Sequence, residues 1–247
     1  MRYFFIAAIA LLGVVASAQK LTTAPQVITA MRDRYAASWY HTLIFQQQSI
    51  THKPDGTSST DIWHEAMHSP GRLRIEFGDS STGNGALFVN GHEYVYHDAK
   101  QVKELDRPNP LLVLGFDVYC QSVDATMAAL KELRFDASVI HEDQWNGRAV
   151  YVIGAQAGDL HAPQFWIDKE RLYFVRLLQP DEKDPKSTED IRFEAYRQVD
   201  GGAWLSEHVV VESDDKLVFE EKYSDVRINP PVNDQLFDPQ HFSHAKP

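Results

Sequence analysis

Short strand-like runs of apolar residues and turn signals repeat along this chain almost to its end. Before that rhythm starts, Thr23 stands where a helix cap belongs and Pro25 falls in the first turn. Val27, Ile28, Met31, Tyr35 and Trp39 then recur at helical spacing, which predicts one amphipathic helix over 25–39. Strand-like runs follow at 42–52, 59–68, 72–77, 86–89, 93–97 and 101–105. They resume at 137–145, 148–154, 163–168, 172–179, 189–199, 203–213 and 216–228. Pro54-Asp55-Gly56, Asn90-Gly91, Asn146-Gly147, Asp200-Gly201-Gly202 and Asp214-Asp215 separate runs as turn residues. The Asn-Gly pairs are the strongest signals, because a type I′ hairpin turn needs two positive φ angles. Runs so closely connected leave no room for parallel crossovers, so the chain predicts an antiparallel meander.

The rhythm breaks once, at 110–133. Pro110-Leu111-Leu112-Val113-Leu114-Gly115-Phe116 is followed by a helix-like stretch with Ser122 as its cap and Val123, Met127 and Leu130 on one side. Two readings stand: a movable cover over a curved sheet, or a core helix. Val150 to Ile153 and Tyr173 to Leu178 are apolar at both odd and even positions, so part of the sheet is expected to be covered on both faces. The expected class is mainly β with added helices (α+β). It comprises a single strongly curved antiparallel sheet, an N-terminal helix and a mid-chain helical lid. The polar stretch 180–190 reads as a solvated loop.

Arg2, the apolar run from Phe4 to Val15 and the small residues Ala16-Ser17-Ala18 predict a cleavable signal peptide over 1–18. Export to the periplasm and a single domain over 19–247 follow. Gln19 stands where a lipoprotein would have Cys, and no second long apolar run suggests an integral membrane span in the mature chain. A formal net charge of −11 opposes the cation-driven binding that nucleic acids reward, so no nucleic-acid partner is expected. Cys120 is the single cysteine. It has no internal disulfide partner and reads as a small buried hydrophobe rather than a nucleophile.

The loudest chemical motif is His64-Glu65-Ala66-Met67-His68, with Gly71 where the longer metalloprotease pattern has its glycine. Zinc chemistry needs this motif on a helix, where residues i and i+4 share a face. On a strand the two histidines lie about 13 Å apart, at about 3.3 Å per residue, which no single ion bridges. Pro70-Gly71 follows directly, and Arg74 occupies the place of the third histidine, so the zinc-hydrolase reading is disfavoured. Gly78-Asp79-Ser80 lacks a nucleophile elbow, and no phosphate loop, C-x-x-C or calcium loop is present. Neither an enzyme, nor a metal, nor a cofactor is expected.

The order of parts resembles the LolA-like superfamily, the periplasmic outer-membrane lipoprotein carriers and related lipoprotein-sorting and stress-sensing proteins. The matching segments are the 25–39 helix, the Ser69-Pro70-Gly71-Arg72-Leu73-Arg74-Ile75 strand start and the hairpin from Leu87 to Tyr96. The closing Tyr223-Ser224-Asp225-Val226-Arg227-Ile228-Asn229-Pro230-Pro231 and Leu236-Phe237-Asp238-Pro239 match as well. The resemblance implies an incomplete β-barrel whose concave face holds acyl chains beneath helices inserted mid-chain. In the carriers proper an arginine precedes the strand-start proline and helps latch the lid; here Ser69 stands there. The expected role is an exported binding or carrier protein for a lipid or the acyl chains of a lipoprotein. Phe45, Trp63, Leu73, Phe88, Tyr96, Leu111, Leu112, Leu114 and Phe116 are the candidate lining residues. A second reading has the same fold sense envelope state by docking an envelope membrane protein.

Overall fold

The computed structural model describes residues 20–182 and 184–242, so the leader expected at 1–18 lies outside the described residues. The first helix, α1 (Ala24–Tyr35), opens on a capping box between Thr23 and Gln26. It ends four residues short of Trp39; Trp39 still reaches the core because its N–H turns back onto the Tyr35 carbonyl at 2.7 Å. The next strands are β1 (Thr42–His52), β2 (Ser58–His68), β3 (Arg72–Phe77), β4 (Gly85–Val89), β5 (His92–His97) and β6 (Lys100–Asp106). Helices α2 (Pro110–Gly115) and α3 (Val123–Glu132) flank a short 3-10 turn at Asp117–Tyr119. The remaining strands are β7 (Ile140–Trp145), β8 (Arg148–Ile153), β9 (Gln164–Asp168), β10 (Phe174–Pro180), β11 (Thr188–Gln198), β12 (Trp204–Ser213) and β13 (Lys216–Ile228).

These thirteen strands pair in one antiparallel sheet of order β6-β5-β4-β3-β2-β1-β13-β12-β11-β10-β9-β8-β7, curled but unclosed. Each neighbouring pair except β1 and β13 is consecutive in the chain, as a meander requires. Asn90 and Asn146 have positive φ angles of 51° and 49°, and each precedes a glycine of positive φ, which is the I′ geometry their dipeptides signal. The free edges β6 and β7 are joined by the segment that carries α2 and α3. That connection must cross the width of the sheet, and its helices lie on the concave face. Leu114 and Leu130 are fully buried in the resulting core beside Phe165, Phe174 and Phe193. Gly115 is needed for this approach, since a Cβ there would stand 2.8 Å from the Phe193 ring.

The convex face of the first meander is covered by the C-terminal segment. Ala66, Leu87 and Tyr96 pack there against Leu236, Phe237 and Phe242. Arg74 fastens that cover: its guanidinium donates to the carbonyls of Leu236 and Phe242, pairs with Glu76 at 2.6 Å, and lies 4.0 Å from the centre of the Phe242 ring. Removing one partner of so buried a pair strands the other's charge, so Arg74→Ala is expected to cost about 3–5 kcal/mol of unfolding free energy. Urea denaturation followed by tryptophan fluorescence measures this; a loss below about 1 kcal/mol, the scale of a surface pair, would show that the tail is held by other contacts.

Candidate functional site

On β1 the burial alternates, with Leu43, Phe45, Gln47 and Ser49 all inward and buried. Register carries that face across the sheet: Phe45 lies opposite Glu65, Gln47 opposite both Trp63 and Tyr223, and Ser49 opposite both Asp61 and Glu221. Beyond β2, Glu65 pairs with Ile75 and Trp63 with Phe77, while Ile75 continues to Ala86 and Leu73 to Phe88. The concave face therefore runs through three zones. Leu43, Phe45 and Met67 are buried in the helix-covered core. A polar zone follows, built from Gln47, Ser49, Glu65, Glu221 and Tyr223. The third zone is apolar and half-buried, with Trp63 set 4.6 Å from Phe77 and 5.7 Å from Phe219 between ring centres.

Hydrogen bonds knit the polar zone. Tyr223 donates from its hydroxyl to Glu221 at 2.8 Å. With the Gln47 amide oriented to satisfy its neighbours, its nitrogen donates to Glu65 at 2.6 Å and to Glu221 at 3.3 Å, and its oxygen accepts from Ser49 at 2.9 Å. Burial pushes the Glu65 carboxyl well above the usual carboxylate range, and the nearby Glu221 charge adds to the effect. Burial likewise raises Glu221 to about 7, against the pull of the Tyr223 hydrogen bond. Both shifts have the same direction, toward the protonated form.

The mid-chain helices are fixed at three places. Asp117 is buried and accepts from the Ser69 hydroxyl at 2.9 Å and from the Gly71 N–H at 3.0 Å. Ser69 thus latches the helical segment to the β2–β3 turn through a carboxyl, at the position where the resemblance implies an arginine. Tyr119 stacks on Trp39 at 3.7 Å, and its hydroxyl accepts from the Phe174 N–H at 3.0 Å. Arg107, just before α2, pairs with Glu93 at 3.2 Å and with Glu182 of the β10–β11 loop. That loop reads in sequence as a mere solvated connection, yet it braces the stem of the helical segment. Cys120 beside Asp117 has its thiol pushed up to about 12 by burial, as befits an inert thiol.

The expected lining residues divide. Phe45, Trp63, Leu73 and Phe88 share the concave face, and half-buried Leu111 packs against its core. Leu112, Leu114 and Phe116 are buried in the helix–sheet core and fill space there instead of bordering an opening. Tyr96 is a correction: it aligns with Gly85, on the convex side, stacks on Phe242 at 4.0 Å and donates to the Pro239 carbonyl. An error of one residue in facing inverts a strand, and nothing local in β5 reveals it. His64 and His68 lie on strand β2, with Glu65 on the opposite face, so the helical constellation that zinc chemistry needs is absent. No group of three or more His, Cys, Asp or Glu placed to hold a metal occurs among the described residues. Sequence reasoning missed Gln47, Ser49, Glu221, Tyr223, Asp117 and Arg107, and it singled out Glu65 only as part of the zinc motif. The i, i+2 pattern of Phe219, Glu221 and Tyr223 was the available signal, but its meaning depends on pairing with β1.

Solved structures share this architecture. A DUF1329 family protein from Desulfovibrio piger superposes with a TM-score of 0.59 at 15% identity, covering 89% of this chain and 97% of that one. A putative outer membrane lipoprotein-sorting protein domain from Vibrio parahaemolyticus gives 0.57 at 16% identity, covering 88% and 97%. A LolA superfamily protein from Nitrosomonas europaea gives 0.54 at 12% identity, covering 88% and 98%. The fold is LolA-like. No protein-family model and no curated protein matches the sequence. Among the described residues no helix of this LolA-like chain is long and apolar enough to cross a membrane.

Burial raises Asp117 to about 7, while the Ser69 and Gly71 hydrogen bonds pull it down. A carboxyl with a folded pKa above its unfolded value contributes stability that is complete below about pH 4 and lost as pH rises through about 7. Unfolding free energy is expected to fall across that window, with Glu65 and Glu221 acting in the same direction. Asp117→Asn retains the Ser69 bond and should make the slope shallower by up to about one proton. Urea titrations at stepped pH measure the slope; the same slope in both proteins would mean that Asp117 is already ionised in the folded state.

Proposed function

We propose that the chain is an exported periplasmic binding or carrier protein that holds the acyl chains of a lipid or lipoprotein on its concave face. The observation that carries this reading is the apolar zone beyond the helices, where Trp63, Ile75, Phe77, Val95 and Phe219 remain half-buried on one face of the sheet. Soluble domains seldom leave such a surface without a use. The LolA-like fold and the leader expected at 1–18 support export and carriage. Phe45, Trp63, Leu73, Phe88 and Leu111 form the proposed lining; Leu112, Leu114 and Phe116 join it only if the helices lift.

Burying an acyl chain gains about 0.8 kcal/mol per CH₂, or on the order of 12 kcal/mol for about 16 carbons before ordering costs. No catalytic step is required. The polar zone sits between the covered and open apolar zones, so a bound chain places its ester or amide carbonyl near the Glu65 carboxyl. Release follows from separating the helices from the sheet, which the Asp117 and Arg107 contacts oppose.

Trp63→Asp is expected to weaken binding of a fluorescent fatty-acyl probe by about tenfold or more, the equivalent of losing one large apolar contact. A probe titration on the variant, with its melting curve as a folding control, checks this; unchanged affinity in a folded variant would remove the open zone as the ligand site. Affinity for an uncharged acyl ester should also fall as pH rises through about 7, because Glu221 then ionises beside the chain. Glu221→Gln should flatten that dependence, and a pH profile that the substitution leaves untouched would place the ester elsewhere.

A further inference from the structure

An open groove of about 820 Å³ lies far from the polar zone, between the β7–β8 turn, the β9–β10 turn and the start of β12. Its floor is aromatic: Tyr173 stacks on Tyr196 at 3.9 Å between ring centres, with Trp204 5.8 Å from Tyr173. Its walls carry two arginines. Arg148 is half-exposed, donates to the Tyr173 hydroxyl at 3.1 Å and approaches Asp168 no closer than 3.8 Å. The Arg171 guanidinium stacks over the Trp204 ring at 4.4 Å, with Glu170 3.8 Å away. Both cations act on the Tyr173 hydroxyl, opposing the burial that raises its pKa, so both converge on one region of the groove.

Of the other charges here, Glu170 is exposed, and Lys169 and Asp168 are committed. Lys169 pairs with Glu142 at 2.6 Å and lies over the Tyr151 ring. Asp168 accepts from the N–H groups of Glu170 and Arg171, which fixes the turn that presents Arg171. Arg34 and Tyr35 of α1 donate to the carbonyls of Glu170 and Arg171, so the turn is anchored to a helix. A guanidinium offers five donors in a rigid fork, and these two use few of theirs on protein partners. They face outward from a chain whose formal net charge is −11. An acidic body that presents two such arginines on one face is drawn to an anionic surface through that face. Arginine beside Trp and Tyr is also the side-chain chemistry of the headgroup region of a membrane.

We propose that this groove binds the phosphate of a lipid headgroup between the Arg148 and Arg171 guanidinium groups, docking the protein on an anionic membrane surface. The proposal stands whether or not the concave face carries an acyl chain. It is tested by co-sedimentation of the exported chain with vesicles of phosphatidylglycerol mixed into phosphatidylcholine, and with phosphatidylcholine alone. Binding to the mixed vesicles, competed by glycerol phosphate and weakened roughly tenfold or more in Arg148→Gln/Arg171→Gln, is the expected result. Lys169→Gln should stay within about twofold, because its ammonium is already paired and contributes less to the surface term. Melting curves establish that each variant is folded. Failure to bind the mixed vesicles, or equal binding by the wild type and the double arginine variant, overturns the proposal. Binding of glycerol phosphate by a protein that does not sediment with the mixed vesicles also overturns it and assigns the groove to a soluble phosphate ester.

Discussion

The pairing of the first strand with the last organises this molecule. Residues as distant as Leu43 and Ile228 stand opposite each other in the β1–β13 ladder, which welds two meanders into one sheet. Because each meander grows outward from that seam, the free edges are β6 and β7, in the middle of the chain. The segment between them has to traverse the sheet. A traverse through water would expose Leu112, Leu114 and Phe116, so it runs along the concave face and buries them. The edges themselves are guarded by charge, with Lys100, Lys103, Glu104 and Asp106 on β6 and Glu142 and Asp143 on β7.

The two faces of the sheet solve burial differently. The convex face of the first meander takes a cover from the C-terminal segment, fastened by Arg74. The concave face takes helices over only part of its extent, and a polar zone begins at Gln47. Carboxyls there cost stability when ionised, and burial raises the pKa of both Glu65 and Glu221 accordingly. The hydrogen bonds from Gln47 and Tyr223 keep the zone from being a void lined with unsatisfied groups.

The succession of strands, the turns and the helix caps were legible because each rests on local chemistry. Asn90-Gly91 and Asn146-Gly147 specify their turns through backbone φ alone, and Ser122 caps α3 through one hydrogen bond to Ala125. The strand placement of His64 and His68 was legible for the same reason, since Pro70-Gly71 leaves no length for a helix. Where a side chain points was legible only in part. Trp63 and Phe88 share the concave face, whereas Tyr96 stacks on Phe242, more than a hundred residues away in the chain.

What this sequence determined by itself was the set of elements and their antiparallel succession, through short-range preferences that need no partner. The tertiary structure decided the rest. The meeting of Glu65, Gln47 and Glu221 depends on the registers of β1 with β2 and β13, and Ser69 acquires its role only when Asp117 crosses the sheet to reach it. Arg148 and Arg171 border one groove because two separate turns end side by side. Such meetings are set by burial and long-range pairing, which no window of neighbouring residues encodes.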